Sequence, residues 1–153
     1  RMMHSLDRND IGLALTAAAE TKPRFDEMCK VLVKGLGPIL EHLSSVDADD
    51  CDLFSDLEPK ATAIAAPIKG RRRVLEKAEQ KYNGDVRRCC DLARASCVAT
   101  DDPTLIALMV KRLRCIPFAN IRRIKNGFKT SKTPGGYRDL KVAVELDGHV
   151  CEL

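Results

Sequence analysis

Cationic side chains in this sequence gather at residues 69–73, 87–88 and 122–132, whereas acid concentrates at residues 47–58. The net charge is only +4, so the segregation matters more than the total. It suits a later half of the chain that meets an anionic ligand. The last third adds a second arrangement. From Tyr137 to Leu146 the pattern has period two: Leu140, Val142, Val144 and Leu146 share one face, and Tyr137, Asp139, Lys141 and Glu145 share the other. Asp147-Gly148 is a strong two-residue hairpin signal and should pair Leu146 with His149. Counting along that ladder sets Ala143 opposite Glu152, which places Glu152 on the face of Tyr137, Asp139 and Lys141. A polar constellation on one face of a β-ribbon follows, with His149 at the turn, where a surface role is expected.

The elements that must position these residues read in order. Residues 11–20 are alanine-rich, and Phe25, Met28, Val31, Leu32 and Leu36 follow at helical spacing, which predicts one or two packing helices before Gly35, Gly37 and Pro38. Residues 44–58 are acidic with few apolar positions and read as a solvated connection. Residues 61–68 are short, apolar and interrupted by Pro67, the pattern of a strand entering a turn. A basic helix over residues 71–82 should stop at Asn83-Gly84 in the left-handed conformation. Residues 92–100 predict a buried strand. Asp102-Pro103 predicts a capped helix start, with Leu105, Ile106, Met109 and Leu113 as its buried stripe.

One domain over residues 1–153 is the expectation, with a helical packing region and acidic loop over 1–60 and a ligand-binding core over 61–153. The fold class is α/β (α+β), a mixed sheet of about four to five strands flanked by helices. No apolar run approaches the roughly 18 residues of a membrane helix. The chain starts at Arg1 without a signal-peptide pattern, so a piece of a longer, cytoplasmic protein is expected. Seven cysteines occur without a CxxC pair, which favours reduced, mostly buried thiols over zinc or disulfide frameworks. A P-loop, Gly-x-Ser-x-Gly and His-Glu-x-x-His are all absent from the sequence, which removes support for P-loop, serine-hydrolase and zinc-protease chemistry.

Three segments in order carry a resemblance. They are a basic helix followed by Asp91-Leu-Ala-Arg-Ala-Ser96, then Lys125-Asn-Gly-Phe with Pro134-Gly-Gly-Tyr-Arg-Asp-Leu-Lys141, then Gly148-His-Val-Cys-Glu152. Together, over roughly the last 90 residues, this order resembles the synthetase domain of the RelA/SpoT-like alarmone synthetases, on a nucleotidyltransferase-like fold. The resemblance implies transfer of pyrophosphate from ATP to the ribose 3′-oxygen of GDP or GTP with Mg2+. It makes Asp91 the principal Mg2+ ligand and Glu152 a second metal carboxylate or the base for the attacking hydroxyl. Such chemistry needs cations around phosphates and carboxylates to hold a metal. Lys69, Arg71 and Lys77 would meet the donor's phosphates, and Lys125, Arg138 and Lys141 those of the acceptor, whose guanine would stack on Tyr137. Asp91, Lys125, Tyr137, Arg138 and Glu152 are expected to line one cleft.

This sequence also departs from the family pattern. Arg94 stands at a glycine position, Ser96 stands where an arginine would sandwich adenine, and Asp139 and Lys141 replace a serine and a histidine. The family's glutamine-bearing continuation would begin just beyond Leu153. Two further readings follow: a catalytically silent nucleotide-binding regulatory domain on the same fold, and an RNA-binding module that uses the basic stretches.

Overall fold

The computed structural model describes residues 8–36, 61–100, 102–130 and 138–153. Helix α1 spans Arg8–Val33 and runs through Pro23. Proline there removes one backbone donor, yet the helix continues because Ile11, Ala18, Phe25, Met28, Cys29 and Leu32 recur on one buried face. Phe25 and Leu32 are fully buried, each contributing about 1.5–3 kcal/mol of apolar transfer. Val31, predicted to share that stripe, is 52% exposed. It lies one residue before Leu32, about 100° round the helix, and so points away.

Strand β1 (Ala61–Ala65) pairs antiparallel with β2 (Ala95–Ala99), Ile64 opposite Ser96 and Ala63 opposite Cys97. Helix α2 (Arg71–Tyr82) stands between them in sequence. It stops as predicted, with Asn83 at φ 53° and Gly84 at φ 85°. The strand predicted over residues 92–100 is shorter and less buried. Leu92, Ala93 and Ala95 enter the core, but Ser96 and Val98 are exposed, because a two-stranded ladder leaves one face uncovered.

Helix α3 (Thr104–Arg114) buries Leu105, Met109 and Leu113. Its start is fixed by Asp102, whose carboxylate accepts from the Thr104 amide at 2.8 Å and from the Thr104 hydroxyl at 2.5 Å. A second antiparallel sheet has the order β3 (Asn120–Asn126), β4 (Leu140–Leu146), β5 (His149–Glu152), with the single turn α4 (Gly127–Thr130) after β3. The β4–β5 register is the one the hairpin signal predicts: Leu146 opposite His149 and Ala143 opposite Glu152, with Asp147 and Gly148 at φ 50° and 79°. Val142, Val144 and Leu146 are buried, as the alternation requires.

Among the described residues the five strands therefore form two antiparallel ladders, joined by a parallel bridge between Arg94 and Glu152. The Glu152 amide donates to the Ala93 carbonyl at 3.0 Å in that junction. Helix α1 packs on both ladders, so the core is continuous across the bridge. No helix among the described residues is long and apolar enough to cross a membrane. Residues 44–58 lie outside the described residues.

Candidate functional site

Asp91 lies in the loop that precedes β2, and it is 7% exposed. Its Oδ2 accepts from the Lys69 ammonium at 2.6 Å and the Lys77 ammonium at 2.7 Å. Lys77 comes from the middle of α2, one turn after Val74, whose burial turns that helix face toward the loop. Lys69 is held by its backbone amide bonding the Leu92 carbonyl at 3.0 Å. Burial alone would push the Asp91 carboxyl up, but the two ammonium groups reverse this and hold it below 3.8. Burial likewise works against charge on Lys77, and Asp91 overrides it, with Glu152 adding a smaller contribution of the same sign. Lys77 therefore lies in the field of both predicted metal carboxylates. Asp91 Oδ1 is buried and has no hydrogen-bond partner.

A cleft of about 860 Å3 opens beside this cluster, within the range of small-molecule sites. One side is apolar: Ile64 and Val98 from the uncovered face of the β1–β2 ladder, Ile106 from α3 and Phe128 from α4. Ile64, Val98 and Phe128 are 51%, 46% and 40% exposed, so three large apolar side chains open to water converge on one cavity. The other side is charged, with Arg94, Arg138 and Lys141 alongside the carboxylates of Asp102, Asp139 and Glu152. Arg94 Nε is buried without an acceptor, an arrangement that leaves a charged donor's hydrogen-bond demand unmet. Lys141 pairs with Asp139 at 3.2 Å.

The cleft rim is set by a close approach at Gly127. Its amide donates to the Asp139 carbonyl at 2.8 Å, and a Cβ at this position would meet the Asp139 carbonyl oxygen and Oδ1 at 2.7 Å. Only glycine lets α4 and the start of β4 meet so closely. The turn then projects Phe128, whose amide is capped by Asn126 Oδ1 at 2.9 Å.

Of the residues singled out from sequence, Arg94, Arg138, Lys141 and Glu152 line the cleft. Asp91, Lys69 and Lys77 form the adjacent buried cluster and are not among its lining residues. Arg71 is exposed in the first turn of α2. Lys125 is exposed on β3 directly opposite Lys141 and does not line the cleft. Tyr137 lies outside the described residues. Ser96 lies in the cleft floor between Ile64 and Val98. Sequence reasoning missed Ile64, Val98, Ile106 and Phe128, because apolar residues at strand and helix spacing read as core. His149, expected at the surface, is half-buried on the face of Leu146, Val144 and Cys151. Its Nε2 is buried and unpartnered, and burial pushes the imidazole below 6.5. Of the described cysteines, Cys29, Cys89 and Cys151 are buried, Cys90 and Cys97 intermediate and Cys115 exposed, a more open set than predicted.

Among the described residues, five strands in two bridged ladders, flanked by helices and bordering a cleft, make an α+β fold. The fold is similar to that of a solved chain in the crystal structure of the complex between the Type VI effector Tas1 and its immunity protein, with a TM-score of 0.58 and 20% identity. The match covers 94% of this chain and 59% of that one, so this chain spans less than two thirds of that chain's length. No family model matches the sequence, and no curated protein matches it.

Proposed function

We propose that this domain binds a nucleotide in the cleft and transfers pyrophosphate from ATP to the 3′-hydroxyl of GDP or GTP with Mg2+, as a member of the RelA/SpoT-like group. The observation that carries the reading is the division of the cleft. A purine ring suits the apolar side made by Ile64, Val98 and Phe128, and a polyphosphate suits Arg94, Arg138 and Lys141. The unmet Arg94 Nε supplies a specific donor for a phosphate oxygen.

The residues fit a divalent cation of the kind that keeps several waters and uses one or two carboxylates plus substrate phosphates. Asp91, through the orphaned Oδ1, and Glu152 on the bridged strand would hold it. Bound there, Mg2+ would neutralise phosphate charge as the pyrophosphoryl group moves. Lys69 and Lys77, fixed by Asp91, place two ammonium groups next to the cleft and raise its affinity for phosphate. Glu152, inside the cleft, accepts the proton of the attacking hydroxyl or holds the metal.

A second reading rests on Asp91 Oδ2, which is already neutralised by two lysines. That arrangement suits a catalytically silent, nucleotide-binding regulatory domain on the same fold. Calorimetric titration with ATP, GDP and GTP, with and without Mg2+, tests nucleotide binding for both readings. Binding should weaken about tenfold in Arg94→Met, equal to about 1.4 kcal/mol. Equal affinity in Arg94→Met and the parent chain would remove the cleft as the site.

A further inference from the structure

Cys29 and Cys97 are 68 residues apart in sequence and meet where α1 crosses β2. The Cys97 thiol donates to the Cys29 carbonyl at 3.8 Å, which places the two residues side by side at the helix–strand contact. Cys29 is 1% exposed. Cys97 is half-buried, so its thiol retains some access to a small reagent. The remaining described thiols stand in other surroundings. Cys89 and Cys90 lean on the carbonyls of Val74 and Arg88, Cys151 is fully buried and Cys115 is exposed.

We propose that Cys97 and Cys29 form a reversible disulfide site, oxidised by a low-molecular-weight disulfide such as oxidised glutathione. The inference stands on the helix–strand contact and is independent of the nucleotide reading. Cys97 attacks first: its thiolate forms a bond to one glutathione sulfur, the glutathione S–S bond breaks, and one glutathione leaves as the thiolate. The Cys29 thiolate then attacks the Cys97 sulfur of the mixed disulfide, forming the Cys29–Cys97 bond and releasing the second glutathione. Two protein thiols are oxidised, one glutathione disulfide is reduced to two thiols, and the two protein protons pass to the released thiolates or to water.

The two thiols differ in the way this order requires. The neighbouring Cys29 thiol holds the Cys97 thiol below its ordinary value against the opposing effect of burial, so Cys97 has the larger thiolate fraction. The Cys97 thiol, with burial, pushes Cys29 far up. Cys29 therefore acts second, at close quarters. The resulting bridge ties α1 to the strand that floors the cleft and closes a loop of about 68 residues, long enough to constrain the unfolded chain substantially.

The test is to incubate the folded chain with oxidised glutathione, block remaining thiols with N-ethylmaleimide and map peptides without reduction. A Cys29–Cys97 crosslinked peptide pair is expected, with a rise in Tm of about 5–10 °C that dithiothreitol reverses. Cys29→Ser should stop at a glutathione adduct on Cys97, while Cys97→Ser should leave Cys29 unmodified. Glutathione found on Cys115 or Cys90 with Cys29 and Cys97 both still free would overturn the proposal. A crosslink that joins a different cysteine pair would overturn it equally. The mapping of the unaltered chain decides the matter even where a variant folds poorly.

Discussion

The backbone amide of Glu152 donates to the carbonyl of Ala93 at 3.0 Å, and this bond lies at the Arg94–Glu152 bridge between the two ladders. It brings the carboxylate-bearing end of β5 beside the segment that begins at Asp91. Lys77, bonded to Asp91 at 2.7 Å and held protonated in part by Glu152, ties the two carboxylates electrostatically. The cleft and the buried lysine–aspartate cluster thus share one junction, and the consequences of altering it can be stated residue by residue.

Asp91→Asn removes the counter-charge of two ammonium groups whose side chains are only 12% and 20% exposed. Breaking a buried pair from one side costs about 3 kcal/mol. Urea unfolding should show a loss of that order, and a double variant that also carries Lys77→Met should recover part of it. A loss under about 0.5 kcal/mol would mean that the cluster is solvated.

The same pair gives a pH dependence with a definite sign. The Asp91 carboxyl is held below 3.8 in the folded chain, so its stabilisation is fully present above pH 3.8 and disappears as pH falls through the lower folded value. His149 titrates higher. Burial pushes its folded value below 6.5, so protonation favours the unfolded chain. The stability should decline as pH falls below about 6.5. His149→Gln should flatten the decline between pH 6.5 and 5, measured by urea midpoints, and leave the more acidic limb to Asp91. An unchanged slope in that window would show that the imidazole is solvated.

Gly127→Ala sets a methyl group 2.7 Å from two oxygens of Asp139. The backbone must shift to relieve this, at a cost of about 1–3 kcal/mol. Because that contact sets where Phe128 projects, nucleotide affinity should fall together with thermal stability. Phe128→Ala separates the two effects. The ring is 40% exposed, so Tm should hardly move, while loss of base stacking should weaken nucleotide binding about tenfold by calorimetry.

Much of the framework was legible in the sequence for identifiable reasons. The Asp147-Gly148 turn fixed the β4–β5 register to the residue, and Asn83-Gly84 fixed the end of α2, because positive φ has few sequence solutions. Asp102 announced α3 through its capping carboxylate. The division of the sheet into two ladders was not legible, since it depends on a parallel bridge between residues 58 apart, Arg94 and Glu152. Nor was the apolar side of the cleft. Ile64, Val98 and Phe128 carry the same local pattern as core residues, and only tertiary placement leaves them open to water. The basic residues were visible as a set, but burial decides their roles: Lys69 and Lys77 are held by Asp91, while Arg94 is left without an acceptor for Nε.

The central claim is tested most directly by following ATP labelled at the β-phosphate in the presence of Mg2+ and GDP or GTP, with the parent chain and Glu152→Gln side by side. Appearance of the label in a guanosine product with the parent chain, and a fall of at least about a hundredfold with Glu152→Gln, is the expected result. Measurable nucleotide binding with no transfer of the β-label to any guanine nucleotide would contradict pyrophosphate transfer and leave the silent regulatory reading.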